Sequence, residues 1–116
     1  MQIKEYILCA AIWYKDLPLI KNDIPSGLLR PINCEMGIVF CGHRHCHCLY
    51  QMVAITGKRQ CEVGEEVQGF LTSSNRFVDR KEAAKIAIAC GQVEKCEYFG
   101  GTELDSSELY KTSPFN

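Results

Sequence analysis

With 116 residues the chain is long enough for one domain that buries roughly two thirds of its unfolded surface without disulfide or metal staples. Its 13 Lys+Arg stand against 14 Asp+Glu, which excludes broad electrostatic capture of DNA, RNA or an anionic membrane, so an anionic ligand must be held by local groups. Eight cysteines occur without a signal-peptide pattern or an Asn-x-Ser/Thr acceptor, and the expectation is therefore reduced thiols in a cytoplasm, several of them serving as small core residues.

Residues 3–14 carry apolar side chains on both alternation sets from Tyr6 onward, which suits a central strand covered on both faces; they are too short and too interrupted by Lys4 and Glu5 to span a membrane. Residues 15–35 hold three of the four prolines, which predicts an irregular excursion. Met36 to Cys41 reads as a second strand ended by Gly42. From His43 to Ile55, Leu49, Met52 and Val53 fall at helical spacing and Gly57 closes a first helix. Val67 to Thr72 and Arg76 to Val78 flank Ser73, Ser74 and Asn75 as a β-hairpin. Asp79 is placed to N-cap a second helix, with Glu82 three residues on and Ala83, Ile86, Ala87 and Cys90 as its apolar stripe before Gly91. A glycine-containing stretch, 93–101, leads to an acidic tail over 103–116 whose Leu104, Leu109 and Tyr110 are apolar enough to dock on a neighbour. The expected fold is α+β, a small, mostly antiparallel sheet with two main helices in a single domain over residues 1–116.

The densest cluster of chemistry is Cys41, His43, Arg44, His45, Cys46, His47 and Cys48. Zinc sites take ligands in two separated pairs, and alternating ligands at one strand-to-helix junction point to different sides, so no metal and no cofactor is expected there. The same junction suits a phosphate better: a glycine turn feeding a helix N-terminus presents free amides, with Arg44 and His45 as added donors. No nucleophile elbow, Walker loop or zincin motif occurs, which argues against an enzyme. On the hairpin, Gln68, Phe70 and Thr72 share one face by alternation. That face is either an aromatic platform for a nucleobase, flanked by Arg76, Asp79, Arg80 and Gln92, or core with a polar rim.

The string Gln68-Gly-Phe-Leu-Thr-Ser-Ser-Asn-Arg-Phe-Val-Asp-Arg-Lys-Glu-Ala83 with Ala87-Ile-Ala-Cys-Gly-Gln92 resembles the Thoeris anti-defence proteins of the first type, a family of small phage proteins. Ala10-Ala11-Ile12, the turn Gly42 to His45 and the tail Leu104-Asp-Ser-Ser-Glu-Leu-Tyr110 are similar to the family's other recurring pieces. The resemblance implies a sponge that sequesters cyclic ADP-ribose isomers in the bacterial host cytoplasm without degrading them. It implies a homo-oligomer, a dimer or an assembly of dimers, with ligand held between subunits and, in some members, extra sites for cyclic oligonucleotides. By position, Arg44 faces a phosphate, Phe70 contacts a base, and Asp79 and Arg80 line the pocket. The chain departs from the family at Asp79, where many members have Asn, and at Asp105, where Tyr is common. A thiol- or metal-dependent small enzyme acting on nucleotides and a phage protein-interaction module are the alternatives.

Overall fold

A computed structural model describes residues 4–109 apart from Asn22 and Tyr98, with Phe99 described for its backbone alone. Four antiparallel strands, β1 (Ile7–Tyr14), β2 (Ile38–Gly42), β3 (Glu66–Thr72) and β4 (Phe77–Asp79), form one sheet in the order β2-β1-β3-β4. The central position of β1 follows from its apolar side chains on both faces: Ala10, Ala11, Ile12 and Tyr14 are all buried. Its register sets Ala11 opposite Cys41 of β2 and opposite Gly69 of β3. Between Ile7 and Cys9 the pairing with β3 slips by one residue. This bulge turns Leu8 outward and lets Ile7 join Ala10, Ile12 and Tyr14 in the same core cluster despite its odd number.

Two helices cover that face, α2 (His45–Thr56) and α3 (Arg80–Ala89), while a single short turn of helix, α1 (Ser26–Leu29), lies within the excursion at 15–35. α2 buries His45, Cys48 and Met52 and ends on Gly57, whose left-handed φ of 71° lets its amide donate to the Val53 carbonyl at 2.9 Å. It starts two residues later than the spacing predicts, and Val53, expected on the inner face, is exposed. Asp79 caps α3 as expected, its Oδ1 accepting from the Glu82 amide at 2.8 Å. Ala83, Ala84 and Ala87 are buried against the sheet, and Ile86 packs beside them. The hairpin closes through Ser73, Ser74 and Asn75, with Asn75 in the left-handed region at φ 57° and the Thr72 amide donating to the Arg76 carbonyl.

The opposite face carries a second cluster of Ala11, Cys34 and Phe77 with Trp13, Val39, Cys41, Val67 and Leu71. Its cover is the excursion, which delivers Cys34 and also closes an edge: the Asn33 side chain accepts from the Phe77 amide at 2.8 Å and donates to the Phe77 carbonyl at 2.7 Å. Gly69 sits where any Cβ would run into the Val78 carbonyl and the Phe77 ring, so the hairpin's tight pairing depends on its missing side chain. No helix among the described residues is long and apolar enough to cross a membrane.

Candidate functional site

Gln68, Phe70 and Thr72 do share one face of β3, but it is the face under the helices. Phe70 is fully buried and meets the His45 ring edge-to-face at 5.1 Å. The reading of Phe70 as an open platform for a base is corrected by this burial, because β3 is an inner strand, α3 packs over it and the His45 ring at the start of α2 closes on Phe70. His45, Gln68 and Arg80 are brought together around that ring. His45 Nε2 donates to the Gly69 carbonyl at 2.8 Å, and Arg80 donates to His45 Nδ1 at 3.4 Å and to Gln68 Oε1 at 2.7 Å. Burial, joined by the nearby Arg80 charge, holds the His45 imidazole below its usual range, so the neutral Nε2–H tautomer satisfies both partners.

Arg80 also fixes the tail. Its guanidinium donates to the Leu104 carbonyl at 3.1 Å and lies 3.6 Å from Asp105, while its backbone carbonyl accepts from the Leu104 amide at 3.0 Å. Leu104 is fully buried in the main core and Leu109 packs against it. The described part of the tail therefore docks on its own domain; Tyr110 and the rest of the stretch to 116 lie outside the described residues.

Thr72 and Arg76 form a second, separate cluster. Arg76 grips Glu5 with two bonds, Nη2 to Oε1 at 2.7 Å and Nε to Oε2 at 2.9 Å, and reaches Glu82 at 3.4 Å; Thr72, fully buried, donates to the same Glu5 carboxylate. Those hydrogen bonds, Arg76 first, hold the Glu5 carboxyl down at about 2. Gln92 stands apart again, donating to the Ile7 carbonyl at 2.8 Å and accepting from the Ile7 amide at 2.7 Å. It also lines a cleft of about 240 Å³, where Glu94, Glu97 and Glu108 outweigh Lys95 and disfavour an anion. Asp79 is committed to its cap.

Arg44 is placed differently from the rest. It occupies the N-cap of α2, half-buried, and its amide donates to His47 Nδ1 at 3.0 Å, the imidazole reaching back as a Glu or Gln does in a capping box. No acidic residue lies in the first turn, and the rings of His43 and His47 meet each other edge-to-face with centroids 6.0 Å apart. Within the described residues no three His, Cys, Asp or Glu side chains are grouped so as to hold a metal. Of the thiols, Cys34, Cys48 and Cys96 are buried as core residues, and Cys46 and Cys61 are exposed. Sequence reasoning missed Glu5, Asp105 and Asn33 as partners, and no local pattern marks them, since each acts across tens of residues.

No curated protein and no solved structure matches the chain significantly. A protein-family model described as "Phage T4 y16D protein" matches residues 6–111, nearly the whole chain and every strand and helix of the sheet domain. The chain belongs to this family of phage proteins.

Proposed function

We propose that the chain is a phage anti-defence sponge that binds a cyclic ADP-ribose-type nucleotide in the host cytoplasm, without turning it over, with the phosphates seated at the N-terminus of α2. The observation that carries this reading is the start of that helix: a 12-residue helix entered through Gly42, with Arg44 at the N-cap and no carboxylate in the first turn. An anion seated there meets the partial positive charge of the helix end, and Arg44 adds a planar donor. The base stacks on the His43 and His47 rings rather than on Phe70, which the core has claimed. A second subunit completes the enclosure: α2 contains no Asp, Glu, Lys or Arg, and on the side away from the sheet it leaves Tyr50 and Val53 exposed one turn apart, an outer face suited to packing against a copy of itself.

Isothermal calorimetry with a cyclic ADP-ribose isomer tests the reading. Arg44→Ala is expected to weaken binding by about ten- to a hundredfold, the loss of a charge-assisted hydrogen bond, without altering the melting curve. Equal affinity in wild type and Arg44→Ala refutes it. Heating protein that has been incubated with extract of TIR-activated cells separates the alternatives: an unaltered cyclic nucleotide is expected, a converted product marks an enzyme, and release of nothing marks a protein-interaction module.

A further inference from the structure

Cys9 of β1 and Cys41 of β2 lie on the same outer face of the sheet. Ala10 pairs with Gly42 and Ala11 with Cys41, so Cys9 is the diagonal neighbour of Cys41 across the strand pair. The two thiols lie near enough for each to act on the other's titration, as does the Gly42 backbone on that of Cys9. Both are half-buried, and Cys41 borders a cleft of about 250 Å³ whose rim includes Arg30 and Asn75. The two thiols are not equivalent. Donation from Cys41, helped by the Gly42 amide and opposed by burial, draws Cys9 down to about 7; the same contact, with burial, pushes Cys41 far up. One member of the pair is thus poised as a thiolate and the other holds its proton. By contrast, burial raises Cys34 to about 11 and Cys48 to about 12, which makes them inert.

We propose that Cys9 and Cys41 form an oxidisable dithiol whose reaction partner is a hydroperoxide. The Cys9 thiolate attacks one peroxide oxygen; the O–O bond breaks, Cys9 becomes a sulfenic acid and the other oxygen leaves as hydroxide or alkoxide. Cys41 gives its proton to that leaving oxygen and attacks the sulfenic sulfur, the S–S bond forms, and the sulfenic oxygen departs as hydroxide and is protonated to water. In total two thiols lose two electrons and two protons, and the peroxide is reduced to water and an alcohol, or to two waters. This site is independent of the nucleotide reading and survives its failure.

The test is titration of the reduced full-length protein with hydrogen peroxide at neutral pH, followed by alkylation and peptide mapping. The first product expected is a Cys9–Cys41 bond with two hydrogens lost, ahead of any change at the exposed Cys46 and Cys61. Cys41→Ser is expected to arrest Cys9 as a sulfenic acid trapped by dimedone. A first disulfide between other cysteines, or oxidation of Cys46 or Cys61 while Cys9 stays reduced, overturns the proposal. Because a serine in the sheet can itself loosen the pairing, the wild type supplies a second reading. With iodoacetamide at pH 7, Cys9 is expected to react about tenfold faster than an ordinary thiol. A Cys9 rate no faster than that of Cys61 overturns the proposal equally.

Discussion

Replacing Gln92 by Ala separates a structural tether from a ligand contact. The side-chain amide of Gln92 completes both hydrogen bonds of the Ile7 backbone at the bulged end of β1, at 2.7 and 2.8 Å, and Ile7 itself is 1% exposed. Each such bond contributes a net 0.5–1.5 kcal/mol or so, and the backbone groups left behind sit in a half-buried environment where water restores them poorly, so the loss comes to about 2 kcal/mol. An unfolding entropy of roughly 2.1 cal/mol/K per residue, scaled to a chain of this length, converts that into a fall in Tm of about 8 °C. Gln92→Glu keeps the acceptor for the Ile7 amide but sets a carboxylate against the Ile7 carbonyl, so it is expected to be no better than alanine. Differential scanning calorimetry measures the first effect, and hydrogen exchange at the Ile7 amide localises it. If Gln92→Ala melts with the wild type while its Ile7 amide stays protected, the tether is not what Gln92 supplies; if the variant instead loses ligand at unchanged stability, Gln92 is a binding residue.

Asp79→Ala is expected to cost about 1 kcal/mol and Asp79→Asn almost nothing, since Asn also caps, and thermal melts of the pair check this. Phe70→Ala is expected to destabilise by about 3–5 kcal/mol, enough to unfold a marginal domain, so far-ultraviolet circular dichroism rather than binding reads it out. Acid sensitivity has two sources with the same sign. The Glu5 carboxyl is held near 2 in the fold against 4.5 when free, so its stabilisation is present above 4.5 and is lost as pH falls toward 2; Arg76→Met is expected to flatten denaturation midpoints across that window. His45 is held below 6.5, so the unfolded chain takes up the proton first and stability declines as pH drops under 6.5; His45→Gln is expected to remove that step, leaving the Glu5 one.

The periodic parts of the chain are legible in its sequence because their causes are local. Apolar residues on both alternation sets place β1 in the middle of the sheet, Asp79 with Glu82 marks where α3 begins, and three turn residues fix the hairpin. Alternation also puts Gln68, Phe70 and Thr72 on one face, but it does not say which layer covers that face. The tertiary structure decides that, since Phe70 is core only because β3 is an inner strand with α3 packed over it and the His45 ring against it. The fate of the charged and amide side chains is decided the same way. A long polar side chain in isolation fits a ligand or a backbone group equally well. Arg76 is taken by a carboxylate 71 residues away, Gln92 by a backbone 85 residues away, and Arg80 by a tail that returns to its helix 24 residues later. Arg44 stands at the start of α2 where the sequence places it, because the helix end it caps is built from residues next to it in the chain.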